Sequence, residues 1–164
     1  MENSWNVCSI IAGEVPCEIG SLCTLNVLNI EDNSLTGHIP FQIFNISSMV
    51  SGSLARNNLS GNLPPNFGSY LPNLENLILE INWLSGIIPS SIGNASKLRS
   101  LDFGYNMLTG SIPHALGSLR FLKRLNLGVN NLKGESYIQG YGLCSRFTWG
   151  EDQYERCCNY TEES

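Results

Sequence analysis

Residues 82–89 read NWLSGIIP, and nearly the same phrase stands at 33–40 (NSLTGHIP), 57–64 (NNLSGNLP) and 106–113 (NMLTGSIP). A fifth copy opens as NNLKG at 130 and loses its ending. The leading residues, Asn33, Asn57, Asn82, Asn106 and Asn130, stand 24, 25, 24 and 24 residues apart. A fixed period in the twenties is the mark of a solenoid, a fold made of one supersecondary unit stacked on itself.

Counting outward from each Asn finds apolar residues at fixed offsets. Around Asn82 they are Leu71, Leu74, Leu77, Leu79, Leu84 and Ile88. Around Asn33 they are Leu22, Leu25, Leu28, Ile30, Leu35 and Ile39, and around Asn106 they are Ala95, Leu98, Leu101, Phe103, Leu108 and Ile112. The copy around Asn57 carries Gly52 where the others carry Leu. Alternation over the L-x-L segment puts its apolar residues on one face of a short strand. Gly and Pro at fixed places exclude a long helix from the remainder, since Pro removes a donor and Gly weakens the helix. Each unit therefore reads as a strand, a turn and an irregular or 3-10 return. One coil cannot bury its own leucines, so coils must stack into a continuous core and need caps at their ends. The expected class is an α/β solenoid with short parallel strands on its concave face. Each anchor Asn is expected to point inward, where its amide must find backbone partners.

The pattern LxxLxxLxLxxNxLxGxIPxxIG resembles the plant-specific leucine-rich repeat of receptor-like kinases and receptor-like proteins. The G-x-I-P element, present at Gly37–Pro40, Gly86–Pro89 and Gly110–Pro113, sets that class apart. The stretches IFNISSM (43–49), LPNLENL (71–77) and NASKLRSLDFGYN (94–106) are further similar to a subgroup of receptor kinases with roles in immunity. The resemblance covers roughly residues 9–135. It implies a non-catalytic ligand-sensing module that binds a peptide or protein, with a co-receptor as a further partner, on the extracellular face of the plasma membrane.

The organisation expected is a partial leading repeat over 1–21, cut off before its strand, then about five coils over 22–134. An acidic, Cys-containing tail without period follows over 135–164. The head, MENSWNVCSIIAG, lacks the basic region and long apolar core of a secretory signal peptide. Neither cap of the resembled family is visible, and the reading is of a truncated piece of a longer receptor.

Composition narrows the function classes. Net charge is −5, with six acids against two bases in 135–164, so the first 134 residues are near neutral. That balance argues against nucleic acid, which requires a basic stripe. No apolar run approaches the roughly 18 residues of a transmembrane helix. There is no GxSxG, GxxxxGK or HExxH, and no kinase signature. The six cysteines form no CxxC and no zinc spacing, so neither a cofactor nor a metal is expected. Cys17 and Cys23 could pair in an oxidising compartment, whereas Cys144, Cys157 and Cys158 read as free thiols. His38 and His114 follow turn residues and read as solvent-facing. Sequons at Asn45, Asn58 and Asn94 mark candidate glycosylation positions, and a fourth lies at Asn159.

What remains is a surface. Residues between the inward leucines face outward on the concave side, and the candidate ligand contacts are Glu31, Arg56, Glu80, Arg99, Asp102, Tyr105, Lys123 and Arg124. Acids gather early and bases late, and Ile78, Ile81, Tyr105 and Val129 add apolar contact. Tyr and Arg are favoured interface anchors. A secreted inhibitor of microbial wall-degrading enzymes, built on the same repeat, and a non-functional truncated product are the competing readings.

Overall fold

The computed structural model describes residues 4–6 and 11–133, and within it one coil follows another in a single stack. The tail reading and the cysteines at 8, 144, 157 and 158 lie outside the described residues.

One strand per coil builds the main sheet, all parallel: β1 (Ser4–Asn6), β3 (Val27–Asn29), β5 (Ser51–Ser53), β7 (Asn76–Ile78), β9 (Ser100–Asp102) and β11 (Arg124–Asn126). Register runs Trp5, Leu28, Gly52, Leu77, Leu101, Leu125 across the sheet, so the inward positions from Leu28 to Leu125 are stacked coil on coil. Here the leading segment departs from expectation. It is not cut off before its strand, because β1 pairs with β3 and continues the ladder.

A second series of strands was not foreseen. β4 (Ser34–Thr36), β6 (Ser60–Asn62), β8 (Trp83–Ile87), β10 (Met107–Ser111) and β12 (Asn131–Lys133) follow the anchor asparagines, and β2 (Ala12–Glu14) precedes them in the leading coil. They form a four-stranded sheet, β12-β10-β8-β6, and a two-stranded one, β2-β4, joined through a bridge between His38 and Ser60. The N-x-L-x-G phrase is therefore strand as well as turn. Its Gly lies within the strand or just past it with positive φ, as Gly86 (+76°) does inside β8, a region open to glycine without steric cost.

The return of each coil is a 3-10 helix: Cys17–Ser21, Phe41–Asn45, Phe67–Tyr70, Ser90–Asn94 and His114–Ser118. Four of them are preceded by Pro, whose fixed φ suits a helix start and whose missing N–H costs nothing there. These returns stack closely. A Cβ on Gly68 would overlap the Ser91 carbonyl of the next coil, so only glycine allows that approach.

The core is one continuous cluster from Val15 to Leu132, and Phe44 and Phe67 stack across coils at 5.3 Å between ring centroids. Two residues depart from the offset pattern. Leu22 is 44% exposed although its counterparts Ile46, Leu71, Ala95 and Leu119 are buried, because it belongs to the outermost of the five stacked 3-10 returns. Ile78 is half-buried rather than exposed, as it lies within the sheet between β5 and β9. Gly52 leaves room that the Met49 sulfur occupies, 3.2 Å from where a Cβ would stand.

Inside the turn, the anchor asparagines carry the structure from coil to coil. Asn82 Oδ1 accepts the Leu59 N–H of the previous coil at 3.0 Å. Its Nδ2 donates to Leu54 O of that coil and to Leu79 O and Glu80 O of its own. Asn57, Asn106 and Asn130 repeat this set. Asn33 accepts Ile11 N–H and donates within its own coil.

The residue before each Asn is forced into the left-handed region: Asp32, Arg56, Ile81, Tyr105 and Val129 have φ of 52–54°. That conformation costs roughly 1–2 kcal/mol for an ordinary residue, and most for β-branched ones. It persists because these N–H groups are bonded to the next coil, as Ile81 N is to Gly104 O at 3.0 Å.

Two outcomes follow for chemical denaturation. Asn82→Ala leaves the Leu59 N–H without its acceptor, removes four hydrogen bonds in all from a site only 8% exposed, and lowers stability by about 4 kcal/mol, at roughly 1 kcal/mol per lost bond. Ile81→Asn keeps the turn with a residue that tolerates left-handed backbone and raises stability by about 1 kcal/mol. A loss below about 1 kcal/mol for the first would show that water replaces the ladder.

Candidate functional site: the concave face

Strand alternation decides what the concave face presents. With Leu28, Leu77, Leu101 and Leu125 turned inward, their strand neighbours turn outward. Six of the eight candidate contacts occupy two corners of this face, and Asp102 and Tyr105 lie outside both.

At the strand ends of the first three full coils lies an acidic corner. Glu31 is half-buried and accepts Ser53 Oγ at 2.8 Å. Arg56 bridges Asp32 (3.2 Å) and Glu80 (3.3 Å), so one guanidinium holds carboxylates of the coils on either side. Glu80 is the group most affected. Burial pushes its carboxyl above the ordinary range, and repulsion from Asp102, Glu31 and Asp32 adds to this while Arg56 opposes it.

At the strand starts of the last two coils lies a basic corner. Arg99 pairs with Glu75 at 3.0 Å and covers the Phe121 ring at 5.9 Å. Lys123 and Arg124 are exposed and make no ion pair among the described residues. Between the corners, Asp102 accepts Gly104 N–H and Asn126 Nδ2, while Tyr105 is 49% exposed, next to Ile81 and Val129 of the neighbouring coils.

The segregation extends beyond the face. Residues 11–93 hold six carboxylates and one base, net −5, and residues 94–133 hold six bases and one carboxylate, net +5. A whole-chain charge hides this, because the two halves cancel.

One concave residue behaves unlike its appearance in the sequence. Ser100 is only 8% exposed, and its Oγ has no hydrogen-bond partner. Its row neighbours are Asn76 and Arg124. Nothing in the stretch SKLRSLDF distinguishes it from Ser51 or Ser53, because its burial comes from neighbouring coils.

The remaining candidates fall elsewhere. Asn45 and Asn94 are exposed at the ends of 3-10 returns, away from the concave strands, and Asn94 Nδ2 donates to Ser69 Oγ at 2.9 Å. Asn58 is exposed just past its anchor. Cys17 and Cys23 are exposed and not joined to each other. His38 and His114 are both exposed. No group of His, Cys, Asp and Glu suited to a metal occurs among the described residues, and no helix there is long and apolar enough to cross a membrane.

The leucine-rich repeat family matches twice, over residues 72–132 and 24–46. The chain belongs to the leucine-rich repeat family, and its neighbours of known structure include ectodomains of plant receptor kinases and a plant ice-binding protein. The PEPR1-AtPEP1 crystal structure is 34% identical, with a TM-score of 0.75 over 79% of this chain and 18% of that one. The ectodomain of GASSHO1/SCHENGEN3 from Arabidopsis thaliana, in complex with CASPARIAN STRIP INTEGRITY FACTOR 2, is 38% identical, with a TM-score of 0.72 over 75% of this chain and 15% of that one. The Arabidopsis receptor kinase HAESA, in complex with the peptide hormone IDA and the co-receptor SERK1, is 31% identical, with a TM-score of 0.70 over 76% and 22%. The chain thus spans less than a quarter of the length of each of these. Among curated protein sequences none matches it.

The raised Glu80 pKa fixes a sign. The folded state holds this proton at a higher pH than the unfolded chain, so stability rises as pH falls through the folded pKa and levels off below the ordinary value of 4.5. Urea titrations just above pH 4.5 are expected to show this rise in the native chain and a flatter profile in Glu80→Gln. Equal slopes for the two would assign the effect to other carboxylates.

Proposed function

We propose that this chain is a ligand-recognition segment of the extracellular region of a plant receptor-like kinase or receptor-like protein, serving immune or developmental signalling. It binds a peptide or protein on its concave face, with a co-receptor as a further partner. In this reading it does no catalysis, and the signal is carried by other parts of a longer receptor. The 1–21, 22–134 and 135–164 divisions stand as its leading repeat, its coils and a non-repeat tail. Asn45, Asn58 and Asn94 carry N-linked glycans when the parent enters the secretory pathway, and those on Asn45 and Asn94 leave the concave strands clear.

The observation that carries the reading is the contrast between the two sides of one sheet. Inward positions repeat nearly without change, whereas outward positions on the same strands differ from coil to coil and hold the charged and aromatic side chains. A face that served solubility alone has no use for an exposed Tyr105, Ile81 and Val129 in a row.

Peptides selected from a random library against the chain provide the test. Their affinity is expected to fall about tenfold or more, some 1.4 kcal/mol, in Tyr105→Ala and in Lys123→Glu. It is expected to stay unchanged in Ser96→Ala and His114→Ala, both outside the concave strands. Selected peptides that respond to the second pair and ignore the first would place recognition elsewhere.

A further inference from the structure

The two charged corners of the concave face are diagonal to each other, and the diagonal has a length. Asp32 closes the strand segment of the first full coil, and Lys123 opens that of the fifth. Strand spacing of about 4.8 Å puts these coils roughly 19 Å apart, and the six-residue run from strand start to turn adds about 20 Å at right angles. The corners are therefore roughly 28 Å apart, the span of about eight residues of extended chain.

Midway along the diagonal lies the half-buried Ile78 of the third coil, and the exposed row Ile81, Tyr105 and Val129, each in left-handed backbone, flanks it at the strand ends. The basic corner has more than charge. Lys123 and Arg124 are unpaired among the described residues, and beside Arg124 the Ser100 hydroxyl is nine-tenths buried with no partner. An orphaned buried hydroxyl carries a desolvation cost, which a ligand oxygen accepting its proton would recover. A carboxylate drawn to Arg124 is brought to Ser100, its neighbour in the same row.

Resting on the recognition reading above, we propose that the occupant of this face is an extended, bipolar peptide segment of about eight residues. Its acidic end lies on Ser100, Lys123 and Arg124, its basic end on Glu31, Asp32 and Glu80, and its aromatic or aliphatic middle over Ile78 of the third coil. Opposite charges at both ends of one groove fix direction as well as position, since the reversed pose sets like charges together. A uniformly acidic or basic partner is rejected by one corner. Arg56 offsets one of the three carboxylates at the acidic corner, so that corner keeps a net negative charge.

Two synthetic peptides of one composition test this on the full 164-residue chain: KKGYVSEE, with its charges separated, and KEGYVSKE, with them mixed, both acetylated and amidated. Calorimetry at low salt is expected to show the first binding about tenfold more tightly, with the preference reduced severalfold at high salt. Ser100→Ala and the double variant Lys123→Glu/Arg124→Glu are expected to lower the affinity for KKGYVSEE, the double variant erasing the preference, with thermal unfolding confirming that each variant folds. Equal affinity for both peptides overturns the bipolar assignment. If Tyr105→Ala still weakens both equally, recognition on the concave face survives that result. If neither peptide binds, the bipolar assignment also fails, and the library-selected ligands decide the concave face separately.

Discussion

The solenoid depends on one polar group repeated five times in its interior. An asparagine amide has one acceptor and two donor hydrogens, and each ladder Asn uses both ends on backbone. It joins its own coil to the previous one through an N–H and a carbonyl that the short strands leave unpaired, as Asn106 does with Leu84 N and Leu79 O. Without it the tight turn would bury bare peptide groups, which few native structures tolerate. The left-handed residue before each Asn, the second strand after it and the exposed row on the rim all follow from holding that turn closed.

This arrangement separates stability from recognition. Inward leucines and ladder asparagines hold the coils, so outward strand positions are free to differ. The strands are three residues long, and each outward side chain has neighbours at strand spacing from the coils before and after. Interactions on the face are therefore lateral: Arg56 reaches Asp32 and Glu80, and Asn126 reaches Asp102. A single substitution there changes the surroundings of three coils, and a ligand lying across the strands senses them together. The fold alone leaves the partner open, and the functional argument rests on the residues of the face.

Much of this was legible in the sequence because the repeat samples the same environment five times. The period, the parallel stacking, the inward set and the position of the concave residues all follow from offsets to Asn33, Asn57, Asn82, Asn106 and Asn130. The second sheet was not legible, because N-x-L-x-G carries turn residues and too few apolar positions for alternation to show. The strand at Ser4–Asn6 escaped as well, since it has neither the leucines nor the spacing of the later copies. Leu22 broke the offset rule at the leading end of the described stack, a position that an offset counted within one coil does not mark.

The sequence by itself determined that the chain coils, how often, and which side chains go inside, since local periodicity and the burial of leucine suffice for that. Tertiary structure decided the rest. Ser100 is buried and orphaned while Ser51 and Ser53 are not, Arg56 is shared between two carboxylates, and Glu80 is crowded by groups up to 49 residues away in the chain. These properties belong to contacts between coils, and a pattern read along one coil has no access to the charges its neighbours bring.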